Sequence, residues 1–169
     1  MNTIMYHSGC GDLLLGEADG RLCLCAWASA GQGRGWEART GRHVAEMTGC
    51  SHRAETPTLR MACAQLDAYF AGQRRVFDMP LRLGGTPFQI SVWREVCRVG
   101  YGDAVTYGAL AARLGRAGAA RAVAAALAAN PVAIFVPCHR VVAAGGMGGY
   151  AGGAEAKRHL RGLAARHGR

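Results

Sequence analysis

Apolar residues recur at different spacings along the first half of the chain. Short apolar runs at residues 13–15 and 22–27 flank a turn-forming stretch at 18–20, a pattern typical of a β-hairpin. Apolar residues then return every three or four positions over residues 57–70, which predicts a helix with one apolar face. The polar segment 72–75 ends this helix. The first half is therefore predicted to be β-rich and to lead into a helix.

The second half of the chain has the sequence features of helices. The segment TPFQ at residues 86–89 can form a capping box with proline at the first helical position, and the apolar stripe after it predicts a helix up to Gly100. Three further helices are predicted at residues 106–114, 119–129 and 154–167. Gly115 and the pair Asn130-Pro131 end the first two of them.

Residues 80–85, which include two adjacent glycines, are predicted to be a linker between the two halves, and a loop is expected at 31–35. We therefore expect an α+β protein with two domains. The first is a small β-rich domain over residues 1–80, and the second is a mostly helical domain over residues 85–169.

Composition narrows the class of protein. The formal net charge of +9 over 169 residues is expected of proteins that bind polyanions, although composition alone can also produce it. The sequence contains neither a run of about 18 apolar residues nor a basic segment followed by an apolar leader. We expect a cytoplasmic protein that does not bind membranes.

The chain contains seven cysteines, an odd number without a regular spacing, which favours reduced thiols. A zinc site is an alternative role for some of them. The candidate ligands would be His7, Cys10, Cys23, Cys25, Cys50 and His52. These residues include no Cys-x-x-Cys pair and no paired histidines, so no metal is predicted.

The two short helices at residues 106–129 have the outline of a helix-turn-helix. The second of them, with the sequence AARAVAAA at 119–126, has little side-chain bulk and one charge, Arg121. Such a helix can pack closely in a core. It can also enter a narrow minor groove, where Arg121 alone would reach the base stack, but it cannot read the major groove. Both interpretations remain open at this point.

The apolar run at residues 132–136 predicts a buried strand that leads to Pro137, Cys138 and His139. Cysteine beside histidine suggests a thiolate-forming pair, because the thiolate is the nucleophilic form. Adjacent residues of a strand face opposite sides, so this pair requires a turn or a bridging water. The alternative is a buried cysteine at a strand end. The glycine-rich segment 143–153 lacks the spacing of nucleotide-binding loops, and a lid is the better interpretation.

Several motifs of the second half occur in the order found in one protein family. They are Asn130-Pro131, Ile134-Phe135-Val136-Pro137-Cys138-His139-Arg140-Val141, GYAGG at 149–153 and Lys157, preceded by TPFQ at 86–89, Val92-Trp93, Thr106-Tyr107, Leu110-Ala111 and Ala120-Arg121-Ala122-Val123. Over about residues 86–160 the chain resembles the O6-alkylguanine-DNA alkyltransferases, also called methylated-DNA–protein-cysteine methyltransferases. The first half resembles the family's variable N-terminal domain more loosely, and that domain is ribonuclease-H-like in the family.

The resemblance implies a monomeric DNA-repair enzyme without a cofactor. Such an enzyme flips O6-alkylguanine, or O4-alkylthymine as an alternative lesion, out of duplex DNA and transfers the alkyl group irreversibly to Cys138 in a single turnover. The implied catalytic residues are Cys138, His139, Tyr107 and Asn130. Val141, Tyr150 and Ala151 would line the base pocket. Arg121, Ala120, Ala122 and Tyr107 would contact the DNA through the minor groove.

The resemblance also implies individual roles. Arg121 would fill the gap left by the flipped base, and Tyr107 would press on the adjacent phosphate and offer its hydroxyl to the leaving guanine. Asn130 would hold the turn before the active-site strand, and His139 would take the cysteine proton through a water.

One position departs from the family pattern. The family places a glutamate that orients the histidine seven residues after the lysine that matches Lys157, and here this position is Ala164. Loss of an orienting carboxylate weakens activation of a nucleophile. Either another carboxylate substitutes, a neutral histidine suffices, or the reaction is slow. Two other classes of protein also remain as alternatives. The first is a non-catalytic, alkyltransferase-like lesion-binding protein, and the second is a thiol hydrolase that uses Cys138 and His139.

Overall fold

A computed structural model describes residues 1–28 and 52–167, without the side chains of His52 and Arg53. The chain forms two compact units, Met1–Gly84 with Pro131–Phe135, and Gly85–Asn130 with Val136–Arg169. The expected loop at 31–35 and the candidate zinc ligand Cys50 lie outside the described residues. None of the helices in the described part has the length and apolar character that crossing a membrane requires.

The first unit contains a four-stranded sheet. Its strands are β1 (Asn2–Ser8), β2 (Gly11–Ala18), β3 (Arg21–Trp27) and β4 (His52–Arg53), in the spatial order β3-β2-β1-β4. The first three pair antiparallel, whereas β4 runs parallel to β1. The predicted hairpin is confirmed as β2 and β3. Asp19 and Gly20 make its turn with φ values of 54° and 71°, a conformation that glycine and aspartate tolerate.

Helix α1 (Pro57–Phe70) confirms the helix predicted in the first half. Thr56 caps it by accepting a hydrogen bond from the Leu59 backbone at 3.2 Å. The apolar face of the helix is buried through Leu59, Leu66 and Tyr69. Burial of this face stabilises the helix on the sheet, which is why its period is visible in the sequence.

The run at residues 132–136 is buried, as expected, but the prediction that it forms a continuous strand is wrong. Val132 forms a bridge parallel to Cys25, with hydrogen bonds from Cys25 to the Pro131 carbonyl (2.9 Å) and from Ala133 to the Cys25 carbonyl (2.8 Å). Ala133 and Val136 are also bridge residues, but a turn at Ile134 and Phe135 separates them, so no continuous strand forms. Ile134 then has a positive φ of 73°, which turns the chain out of the extended conformation. The two hydrogen bonds to Cys25 of β3 thus attach the segment Pro131–Phe135 to the first unit.

The second unit is mostly helical, as predicted. Its helices are α2 (Pro87–Val96), α3 (Tyr107–Arg113), α4 (Ala120–Ala128) and α5 (Gly153–His167), and a short parallel pair joins β5 (Val105–Thr106) to β6 (Val141–Val142). The capping box predicted at residues 86–89 forms with both of its hydrogen bonds. Helix α2 ends at Val96, earlier than the expected Gly100.

The pair α3 and α4 forms the two helices predicted for the helix-turn-helix. Gly115 and Gly118, with φ values of 69° and 89°, allow the tight connection between them. Trp93 of α2 is fully buried, and its indole N–H donates to the Ala126 carbonyl of α4 at 2.9 Å. This packing fixes α4 on the core of the second unit. The observed architecture is α+β, as predicted, and the ribonuclease-H-like detail of the first domain stays a prediction.

Candidate active site

Cys138 lies at the start of a single 3-10 turn, Cys138–Arg140, rather than in a strand. Its backbone N–H donates to the Val136 carbonyl at 2.8 Å, and only 8% of the residue is exposed. The turn removes the geometric objection to a Cys138–His139 pair, because adjacent residues in a turn need not face opposite sides as they do in a strand. The structure therefore buries the candidate nucleophile beside the candidate base.

Asn130 contacts the sulfur directly. Its side-chain amide lies 3.2 Å from the Cys138 sulfur and donates to the Val136 carbonyl at 3.0 Å. Burial raises the pKa of the Cys138 thiol, while the Asn130 amide and the positive charge of Lys157 lower it. Asn130 thus contacts both the backbone before Cys138 and the Cys138 sulfur.

His139 is buried and neutral. Only 1% of the residue is exposed, and its ring lies edge-on to Tyr150 with the centroids 6.3 Å apart. Burial, followed by the charges of Arg140, Lys157 and Arg161, lowers the pKa of His139 to about 3. The imidazole is therefore uncharged at neutral pH, and one of its two ring nitrogens carries no proton.

Lys157 is fully buried, and its ammonium group joins two backbone segments of the site. It donates to the Val141 carbonyl of β6 at 2.6 Å and to the Gly149 carbonyl of the glycine-rich loop at 3.0 Å. Lys157 belongs to a motif of the sequence, but no role was predicted for it. Its being the only lysine of a basic chain was the available signal.

Tyr107 reaches the same loop from the start of α3. Its hydroxyl donates to the Gly149 carbonyl at 3.5 Å, and an added Cβ on Gly148 would lie 2.7 Å from that hydroxyl oxygen. Burial and then the nearby Cys138 sulfur raise the pKa of Tyr107, whereas the bond to Gly149 lowers it. Tyr107 therefore stays protonated near neutral pH and can donate a proton.

The remaining predicted residues occupy two other places in the second unit. Arg121 and Ala122 are exposed on the first turn of α4, and Ala120 beside them is half-buried. Val141 is buried in β6, while Tyr150 and Ala151 lie in the glycine-rich loop, half-buried and exposed respectively. The fold thus gathers Cys138, Asn130, His139 and Tyr107 around one buried sulfur and leaves Arg121 on an outer helix.

No group of three histidine, cysteine or acidic side chains in residues 1–28 and 52–167 lies close enough together to hold a metal ion. Cys23 and Cys25, two candidates of the zinc alternative, are buried in β3. They belong to the apolar core of the sheet, where cysteine packs as a small hydrophobic residue.

Comparisons with known proteins match the second unit most closely. Residues 87–163 match the family described as 6-O-methylguanine DNA methyltransferase, DNA binding domain. A methylated-DNA–protein-cysteine methyltransferase of Mycolicibacterium paratuberculosis is 49% identical over 107 residues, which are 63% of this chain and 65% of that protein. The protein of the same name from Shigella flexneri is 50% identical over 98 residues, 57% of each chain. The matched region therefore spans less than two thirds of these curated relatives.

Solved structures extend the similarity to nearly the whole chain. The crystal structure of Mycobacterium tuberculosis OGT in complex with DNA has a TM-score of 0.81 and 36% identity, and the alignment covers 99% of this chain and 94% of that one. The O6-methylguanine-DNA methyltransferase of Pyrococcus kodakaraensis has a TM-score of 0.66 and 27% identity over 96% of this chain and 98% of its own. The motifs, the fold and these relatives agree, and the chain belongs to the methylated-DNA–protein-cysteine methyltransferase family.

Proposed function

We propose that this protein repairs DNA by transferring an alkyl group from the O6 atom of guanine directly to Cys138. The contact between the Asn130 amide and the Cys138 sulfur, at 3.2 Å, is the observation that carries the proposal. A buried cysteine of purely structural character needs no hydrogen-bond donor aimed at its sulfur, whereas a thiolate does. The relatives carry the name of this activity, and the matching family segment at residues 87–163 includes Cys138.

The substrate base must leave the duplex to react. Cys138 is only 8% exposed, and the O6 substituent is shielded within the base stack, so the two can meet only if the alkylated nucleotide is flipped out. A damaged pair costs less to open than an intact one. O4-alkylthymine presents a similar exocyclic ether and is proposed as a further substrate.

Helix α4 is proposed to bind the minor groove. Its exposed first turn carries Arg121, with the small residues Ala120 and Ala122 on either side. Small side chains let the helix approach the groove floor, and a single arginine is long enough to occupy the gap left by the flipped base. The net charge of +9 would add affinity for the phosphates without sequence preference.

The flipped base is proposed to enter between β6 and the glycine-rich loop. Lys157 already binds the Val141 carbonyl, but that oxygen keeps a second lone pair that can accept from an amino group of guanine. Tyr150 would give the base an aromatic contact, and Ala151 would close the pocket. Tyr107 would press on the adjacent phosphate.

The chemical step needs one proton acceptor and one proton donor. The Cys138 proton passes to neutral His139 through a water, and the thiolate then attacks the alkyl carbon in line. A sulfur–carbon bond forms as the carbon–O6 bond breaks, and its electron pair remains on O6. Tyr107 protonates the leaving guanine and recovers its proton from solvent. No cofactor takes part.

The product explains the proposed stoichiometry. A thioether offers no good leaving group to water, so each chain acts once and is then inactivated. We propose that the protein acts as a monomer, because a single chain holds every group that the reaction uses. We further propose a cytoplasmic location, where the chromosomal DNA of its bacterial relatives would be accessible.

Intact-mass spectrometry tests the proposal. The protein is incubated with a duplex oligonucleotide containing O6-methylguanine, and Cys138→Ser serves as the matched control. We expect one added methyl group on the wild-type chain, mapped to Cys138, and none on the variant.

Two outcomes would contradict the proposal. Tight binding of the lesion duplex without an adduct would identify a lesion-binding protein. Repeated turnover of a small ester or thioester by the wild type but not by Cys138→Ser, without any adduct from DNA, would identify a thiol hydrolase.

A further inference from the structure

A small cavity lies next to His139, away from the contacts of the Cys138 sulfur described above. Its volume is about 90 Å³, and Asp103, His139, Arg140, Arg161, Ala164 and Ala165 line it. About three water molecules occupy this volume in the liquid, so the cavity has room for a molecule of three or four non-hydrogen atoms. The buried methyl group of Ala164 leaves this space open on the side of α5.

The lining of the cavity is positively charged. Arg140 and Arg161 contribute two positive charges, Asp103 contributes one negative charge, and buried His139 is neutral. The sum of these charges is +1, which matches a monovalent anion better than a divalent one. Asp103 is exposed to solvent, so its charge is screened more than that of buried Arg140.

Arg140 lines this cavity and carries a buried hydrogen-bond donor that no described residue accepts. Only 8% of the residue is exposed, and its Nη1 donates to the Val99 carbonyl at 2.6 Å. Its Nε–H is buried and has no hydrogen-bond partner among the described residues. A buried guanidinium donor without an acceptor costs free energy, and an oxygen of a small anion in the cavity would recover it.

We propose that this cavity binds a small monovalent carboxylate, such as formate, acetate or bicarbonate. The bound anion places a negative charge beside the uncharged side chain of Ala164 and makes His139 a better proton acceptor for Cys138. The inference rests on the proposed role of Cys138 as the alkyl acceptor. The anion is not consumed. It remains in place while one proton moves from the Cys138 sulfur to His139.

The charged groups around His139 determine the direction of the effect. Arg140 follows it in the turn, Lys157 and Arg161 approach from α5, Asp103 comes from the loop before β5, and the Tyr150 ring packs edge-on. Burial, and after it the charges of the three cations, hold the pKa of His139 at about 3. An anion beside Arg140 and Arg161 offsets their charges, and the imidazole then accepts a proton more readily.

The alkylation rate of Cys138 by iodoacetamide tests the proposal without DNA. The rate is followed by peptide mass spectrometry at fixed pH and ionic strength while sodium formate replaces sodium chloride. We expect a saturable increase of at least about threefold, since an opposite charge within a few ångströms shifts a pKa by about one to three units. Pivalate has the same charge but is too large for the cavity, so it should have no effect.

Two variants at Ala164 separate charge from volume. Ala164→Glu brings a carboxylate on α5, and we expect it to react faster than the wild type in chloride and to gain nothing from formate. Ala164→Gln fills the same space without a charge, and we expect it to lose the formate response without the gain in rate. A formate response retained in Ala164→Gln would overturn the proposal, as would an equal response to pivalate.

A spectroscopic measurement on the wild-type chain covers the case in which neither variant folds. The carbon-13 shift of the His139 Cε1 atom is followed against pH with and without formate. A higher pKa in formate supports the proposal, and an unchanged titration overturns it. Neither result depends on methyl transfer from DNA, so failure of this inference is distinguishable from failure of the proposed function.

Discussion

Asn130 connects the chemistry of Cys138 to the backbone that carries it. The same side-chain amide donates to the Val136 carbonyl and to the sulfur, so one residue both shapes the turn and lowers the pKa of the thiol. A hydrogen bond to a charged acceptor is worth about 1.5–3 kcal/mol, more than one to a neutral acceptor. The local geometry and the reactivity of the site are therefore coupled in a single side chain.

We predict that Asn130→Ala raises the pKa of the Cys138 thiol and slows its reaction with iodoacetamide near pH 8 about tenfold, since the donor to the thiolate is lost. The measurement is the pH dependence of the alkylation rate at Cys138. Asn130→Asp is the matched control, because it keeps the shape but places a negative charge beside the sulfur. It should raise the pKa further still. An unchanged pH profile in both variants would restrict Asn130 to a backbone role.

The Tyr107 hydroxyl leaves no room for a side chain at Gly148. Its φ of 70° is unfavourable for other residues, and an added Cβ would lie 2.7 Å from the Tyr107 hydroxyl oxygen. We predict that Gly148→Ala displaces the Tyr107 hydroxyl and slows methyl transfer from lesion DNA about tenfold, at a stability cost of about 1 kcal/mol. Single-turnover kinetics measures the rate, and urea unfolding measures the stability.

Gly145→Ala is the control for that experiment. The position belongs to the same loop, but an added Cβ there would meet no atom within 4 Å. We expect this variant to behave as the wild type. Equal losses in both variants would mean that loop flexibility, rather than the position of Tyr107, limits the reaction.

At the scale of elements, α4 has one buried face, and its exposed side is the one proposed to bind DNA. Val123, Ala126 and Leu127 are buried against the second unit, while Arg121 and Ala122 are exposed. The sequence alone left a packed helix and a DNA-binding helix as alternatives. The two are compatible, because a helix of small residues has one face for each role.

We predict that Arg121→Ala weakens binding to the lesion duplex by about tenfold, roughly 1.4 kcal/mol, and leaves the reaction with a free alkylated base nearly unchanged. The reason is that Arg121 is proposed to stabilise the flipped state and lies on an exposed turn rather than at the buried sulfur. Fluorescence anisotropy measures the binding. Arg158→Ala removes the same charge from an exposed position of α5 and serves as control. Equal losses on both substrates would contradict the role of Arg121 in base flipping.

At the scale of the whole molecule, the buried neutral His139 makes stability depend on pH. Its pKa is about 3 in the folded state, below the ordinary value of 6.5, so the unfolded chain binds more protons between these pH values. Stability is therefore fully present above about pH 6.5 and is lost as the pH falls towards 3. We predict that this residue contributes a loss on the order of 3 kcal/mol in the free energy of unfolding between pH 7 and pH 4.

Urea unfolding of the wild type and His139→Gln at several pH values measures this contribution. The variant should lose less stability on acidification than the wild type does. His159→Gln changes an exposed histidine of α5 and should keep the wild-type dependence. Parallel pH curves for the wild type and His139→Gln would show that His139 is not the group responsible.

Much of the fold followed from local patterns. The β2–β3 hairpin and all five helices of the described residues were predicted because turns, caps and apolar periods depend on residues close together in the chain. Cys138 as the nucleophile and His139, Asn130 and Tyr107 around it followed from the resemblance, since spacing alone marked only a cysteine beside a histidine. Their individual roles remain predictions.

These local patterns could not predict contacts between residues that are far apart in the chain. The run at 132–136 looks like a strand locally, but hydrogen bonds to Cys25 of β3 and the positive φ of Ile134 make it a bridge and a turn. Lys157 could be counted as the only lysine, yet its two carbonyl partners lie 16 and 8 residues away. In the sequence, Ala164 is only a departure from the family motif, whereas in the structure it lines a charged cavity. Periodicity depends on neighbours along the chain, whereas a site depends on which distant groups packing brings within a few ångströms.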